Sequence, residues 1–177
     1  MSKIRTPRNI IAEVQELIKT AKYEEITSML KIKLSVNPYD KESLFASSLL
    51  YQALGAYEQA IETIKLSEYY KVNPAVYWNE MGVCLKHLNR IEEAINAFEK
   101  GLAKSKDLNL YLNLGLILMD RREFKKAAEI LEPSLERFKD NPEYNLMLAS
   151  AIYYGYNDTT KIKNQIESSL EKSNPKR

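Results

Sequence analysis

One pattern constrains this chain more than any other: a short segment returns at a fixed interval along its length. Gly55-Ala-Tyr-Glu-Gln-Ala60-Ile-Glu-Thr-Ile64 is preceded by Ala21-Lys-Tyr-Glu-Glu-Ile26-Thr-Ser-Met-Leu30 and followed by Asn89-Arg-Ile-Glu-Glu-Ala94-Ile-Asn-Ala-Phe98 and Arg122-Glu-Phe-Lys-Lys-Ala127-Ala-Glu-Ile-Leu131. The upstream halves keep step, with Leu44, Trp78, Tyr111 and Tyr144 in one column and Ser48, Gly82, Gly115 and Leu148 in another. A period of this length means a stack of identical supersecondary units, none of which can bury its apolar face alone.

Each unit reads as two helices. Apolar residues recur at three- and four-residue steps from Leu44 to Leu54 and again from Tyr57 to Tyr69. Between them stands a residue suited to a left-handed helix end, Gly55 or Asn89, with Gly155 expected to do the same later. Asn-Pro pairs at 37–38, 73–74, 141–142 and 174–175 punctuate the units, because proline lacks the amide a helix interior needs. With only five Gly and six Pro in 177 residues, long helices fit the composition better than many short strands. Small residues at Ser48, Gly82 and Gly115 on first helices, and Ala60, Ala94 and Ala127 on second helices, are placed to face one another where the helices cross. Pro133 falls inside a second helix and should kink or end it. A longer turn is expected over Tyr154–Thr160, followed by a capping helix with Ile162, Ile166 and Leu170 on one stripe.

These residues carry a family resemblance. The spacing Trp78–Met81–Gly82–Leu85–Ala94–Phe98 resembles the tetratricopeptide repeat, and the likeness runs from about Ile10 to about Leu170. It implies an all-α fold of helix-turn-helix repeats stacked as a right-handed α-solenoid superhelix. The chain would be a single domain over 1–177, with units at about 7–40, 41–74, 75–107, 108–141 and a degenerate 142–172.

Little in the sequence suggests catalysis. Charge is balanced, 26 basic against 24 acidic residues, which offers no electrostatic footprint for nucleic acid or an anionic membrane. The lone His87 and lone Cys84 cannot complete a zinc site or a nucleophilic triad, and no Gly-rich phosphate loop occurs. No cofactor or metal is expected, and no enzyme. A single cysteine, no signal-peptide core and no spanning stretch point to a cytoplasmic protein without membrane insertion.

The resemblance implies a concave groove lined by first helices and a protein or peptide partner held there. By the family's geometry the peptide-binding residues are Phe45, Leu49 and Gln52; Asn79, Glu80, Val83 and Lys86; Asn113, Leu116 and Met119; and Asn145 and Ala149. Carboxamides donate to and accept from a peptide backbone, and the aliphatic residues suit its side chains. The clamp by which some relatives grip a chaperone's C-terminal carboxylate is not matched, since its places hold Ile11, Gln15, Ala46, Val76 and Glu80. The leading expectation is therefore a peptide-binding scaffold or adaptor. Alternatives are a secretion or assembly chaperone resembling the class-II type III secretion chaperones, and a scaffold that self-associates as a homo-oligomer through its convex face or its ends, where abundant tyrosine, with Tyr69-Tyr70 and Tyr153-Tyr154 as adjacent pairs, would favour an interface.

Overall fold

The computed structural model describes residues 9–157 and residue 160. The described residues form helices and connecting turns, with no strand among them. The chain divides into two compact units, one up to Ala97 and one from Phe98. The division falls inside a helix rather than in a linker.

The first unit holds α1 (Ile10–Lys19), α2 (Tyr23–Val36), α3 (Lys41–Ala53), α4 (Tyr57–Ser67), a 3-10 turn at Tyr69–Lys71 and α5 (Pro74–His87). Helix α6 (Ile91–Leu102) carries the division. The second unit holds α7 (Leu108–Asp120), α8 (Phe124–Leu131), a 3-10 turn at Glu132–Ser134, α9 (Leu135–Phe138) and α10 (Pro142–Tyr156).

Helix starts are chemical. Asp40, Asn73 and Asn141 turn a side-chain oxygen onto the amides of Ser43 (2.8 Å), Val76 (3.2 Å) and Tyr144 (2.8 Å). Pro74 and Pro142 then occupy the first helical position, where a missing amide costs nothing. The Asn-Pro pairs at 73–74 and 141–142 thus open helices. Asp40 likewise starts α3 at Lys41, ahead of the Leu44 expected from periodicity.

The turns inside each helix pair share one device. Ala21, Gly55, Asn89 and Arg122 all take the left-handed conformation, with φ of 54°, 75°, 58° and 59°. In the second pair the Gly55 amide bonds the Gln52 carbonyl (3.0 Å) and the Ala56 amide bonds the Tyr51 carbonyl (2.8 Å). The same two bonds recur at 89/90 and at 122/123, closing the first helix by satisfying its last carbonyls. Gly155 does something else: it lies inside α10, and Asn157 takes the left-handed position instead. A Cβ on Gly155 would sit 3.0 Å from the Lys125 amide nitrogen and 3.1 Å from the Phe124 carbonyl carbon. Close approach of α10 to the start of α8, not a turn, calls for glycine there. The expected capping helix with Ile162, Ile166 and Leu170 lies outside the described residues.

Small residues do sit in the core. Ser48, Ala60, Ala94 and Ala127 are fully buried, and Ser48 Oγ is satisfied within its own helix by the Phe45 carbonyl (2.6 Å). Helix α3 packs on α4 and also on α1 and α2, while in the second unit α8 packs on both α7 and α10. At Gly115 the close neighbours are bulky: an added Cβ would run into Met147 Sδ of α10 and lie 3.5 Å from Leu131 of α8. The glycine makes room for a thioether as well as for the facing helix.

Pro133 ends α8 at Leu131, and a 3-10 turn follows. The Leu135 amide, which an unbroken helix would give to the Leu131 carbonyl, goes to Glu132 instead. Tyr144, fully buried in α10, donates its hydroxyl to that freed Leu131 carbonyl. Its ring meets Phe138 at 5.2 Å and Tyr111 at 6.2 Å, and burial raises its pKa.

Two stability outcomes follow. Gly55→Ala meets no neighbouring atom, so it should cost only the left-handed strain, about 1 kcal/mol, whereas Arg122→Gly should gain a few tenths, both read from urea midpoints. Tyr144→Phe leaves a buried carbonyl without its donor and should lose about 1–3 kcal/mol in the same measurement.

Candidate functional site

First helices present two kinds of residue, and the structure sorts them. On α3, Phe45 is fully buried and stacks on Tyr69 at 4.4 Å and 20°, while Leu49 is only 7% exposed. Both were expected to line a groove and both belong to the core. The reason is that α3 is packed on several sides, by α1, α2, α4 and the 3-10 turn that holds Tyr69. Gln52, at the end of α3, remains half-buried.

On α5 the core takes Ala75, Tyr77, Met81, Gly82, Cys84 and Leu85. Asn79, Glu80, Val83 and Lys86 stay half-buried, in reach of solvent. On α7 the core takes Leu110, Tyr111, Leu114, Gly115, Ile117 and Leu118. Asn113 and Met119 are half-buried, and Leu116 is 43% exposed. Ala149 and Asn145 of α10 are half-buried as well.

Two of the carboxamides have structural duties. Asn145 Nδ2 donates to the Lys139 carbonyl at 2.6 Å, beyond the last turn of α9, which leaves Asn145 Oδ1 buried without a donor. The expected groove amide is therefore half spent on holding α9. Its signal was local: a short helix ending just before Asn141-Pro142 needs its terminal carbonyls satisfied from somewhere. Asn79 Nδ2 donates to Glu80 Oε1 at 3.1 Å.

Glu80 is the chemically distinctive group. Burial raises its pKa above the ordinary carboxylate value, and only the Asn79 and Gln52 amides work the other way. Gln52 Nε2 is itself buried with no acceptor in hydrogen-bonding geometry, although its amide faces the same carboxylate. One turn along α5, burial and the Glu80 charge push the Cys84 thiol up to about 12, so it stays protonated and unreactive at neutral pH. The His87 ring is exposed and stacked on Tyr57 at 4.4 Å, nearly parallel at 3°. Among the described residues no cluster of three metal-ligating side chains occurs, and no helix is long and apolar enough to cross a membrane.

A raised carboxyl pKa weakens the folded state as pH climbs. The folded chain holds its Glu80 proton to higher pH than the unfolded chain, so stability falls from about 4.5, the ordinary carboxylate value, up through the folded pKa. Glu80→Gln should therefore melt higher than wild type at pH 7, and that advantage should vanish below about pH 4. Equal melting temperatures at pH 7 would show that the carboxylate is not penalised.

Comparison with known proteins fits the same architecture. The peroxisomal targeting signal receptor of Kluyveromyces lactis is 30% identical over 111 residues, covering 62% of this chain and 20% of the receptor. The chain thus spans about a fifth of the length of that curated relative. Among solved structures, MamA matches with a TM-score of 0.71 at 20% identity, covering 90% of this chain and 94% of MamA. YrrB, a TPR protein with an unusual peptide-binding site, matches with a TM-score of 0.65 at 12% identity, covering 92% of this chain and 84% of YrrB. These structural likenesses speak for the fold alone. Residues 85–151 match the family model of the tetratricopeptide repeat, and the helix pairs before and within the match share the fold of solved tetratricopeptide-repeat structures.

Proposed function

We propose that the chain is a protein-interaction scaffold whose first helices take up a peptide segment of a partner protein. Family and fold support the scaffold. What supports a peptide is the residue sorting on α5 and α7: after the core has taken its share, amides and aliphatic side chains remain within reach of solvent. On α5 these are Asn79 and Val83, joined by Glu80 and Lys86; on α7 they are Asn113, Leu116 and Met119. An amide pairs with backbone groups whatever the side chains nearby, and an aliphatic patch pays back the desolvation of an apolar residue. The second helices show charge instead, with Glu92 and Glu93 on α6 and Lys125 and Lys126 on α8 all exposed.

Two relatives add weight by the kind of protein they are. The Kluyveromyces lactis protein is a receptor for a targeting signal, and YrrB has a peptide-binding site. The present chain would share the habit of holding a polypeptide, with its own choice of segment. A non-catalytic role suits the chemistry, since the one thiol is buried and protonated and the one imidazole is stacked on a tyrosine.

Panning random peptides on the full chain tests this reading. Wild type should retain a recurring sequence class, and Asn79→Ala combined with Val83→Ala on α5 should lose most of it, by about tenfold or more, with an unchanged helical circular dichroism spectrum. Undiminished retention by the double variant would place the binding surface elsewhere.

A further inference from the structure

We propose that Glu80 receives a cationic side chain, Lys or Arg, from the bound segment. The proposal rests on the peptide-binding reading and names the chemistry that one part of that surface selects.

The argument starts from an imbalance of charge. Glu16, Glu25, Glu68, Glu93, Glu123 and Glu136 all have a Lys or Arg within 4.0 Å. Nearly all of these carboxylates are well exposed, where a counter-ion is worth little. Glu80 is the reverse case. It is half-buried, its environment opposes ionisation, and its hydrogen-bonding neighbours are the neutral amides of Asn79 and Gln52. No cation of the described residues pairs with it. Lys86 shares its helix, six positions on, and forms no ion pair with it. A carboxylate in such a place is where a partner's positive charge gains most, because the screening that weakens surface pairs is reduced.

A neutral donor would not serve as well. Asn79 Nδ2 already supplies one neutral bond at 3.1 Å, so what the site lacks is charge. An apolar side chain would deepen the desolvation without relieving it.

The experiment uses the full chain and a positional-scanning library of random decapeptides. Wild type should select Lys or Arg at one position. In the best peptide, replacing that residue by norleucine should weaken binding by about tenfold or more to wild type and hardly at all to Glu80→Gln. Glu80→Asp, which keeps the charge, should retain a reduced preference for the cation. Selection without any Lys or Arg position overturns the proposal, as does an equal norleucine loss in wild type and Glu80→Gln. Both of those results leave peptide binding itself standing. Failure of wild type to retain any peptide overturns the peptide-binding reading and this proposal with it.

Discussion

Each helix pair hangs on a single backbone conformation, the left-handed residue that closes its first helix. Two amide bonds reach back from that residue and its neighbour to the carbonyls at 51 and 52, 85 and 86, or 118 and 119. So short a connection leaves the second helix no course but to fold back along the first. It also fixes register. The carbonyl just after the left-handed residue accepts the amide of the buried small residue on the second helix: Ala56 from Ala60, Arg90 from Ala94, Glu123 from Ala127. The column of alanines is therefore set by the turn as much as by the packing. In the first pair the same bond runs from Ile26 to Lys22, and a larger residue occupies the crossing opposite Val14. Arg122 and Ala21 hold the left-handed conformation without being glycine, so the burial of the paired helices must outweigh that strain.

Covering decides what a first helix has left to offer. Leu49, Val83 and Leu116 stand in one column of the repeat, yet they run from 7% exposed through half-buried to 43% exposed. Their own sequences do not differ in kind; all are aliphatic. What differs is the surroundings, since α3 packs against α1, α2, α4 and the 3-10 turn at Tyr69–Lys71. A repeat position thus carries a place on the helix but not a fate, and the same column reads as core in one unit and as accessible surface in another.

This explains where the sequence was readable. Helix pairs, buried small residues and the break at Pro133 are local consequences of periodicity and proline chemistry, and each is present. Gly155 misled because glycine serves two purposes, and only the position of the Phe124–Lys125 backbone tells close approach from a turn. Phe45 and Leu49 misled because family geometry assigns positions without knowing which unit is covered. Asn145 misled by half, because its amide nitrogen serves the end of α9, a need created by the broken helix at Pro133. Tyr144 could be placed in a column of aromatics, but its bond to the Leu131 carbonyl depends on that same break.

Unsatisfied polar atoms separate structural accidents from places where a ligand could act, provided accessibility is weighed with them. Ser43 Oγ has no partner, but Ser43 is fully buried at the start of α3 and nothing from outside can reach it. Gln52 Nε2 and Asn145 Oδ1 also lack partners, and both belong to half-buried residues on first helices. One is a donor and the other an acceptor, each on an amide whose other atom is accounted for differently: Asn145 spends its nitrogen on Lys139, and Gln52 sets its amide against Glu80. A buried hydroxyl can turn within its helix to relieve its cost, whereas an amide anchored at one end cannot. Both orphaned amide atoms are themselves sealed from water, so each is a standing cost of the fold rather than a contact point for a backbone approaching from solvent.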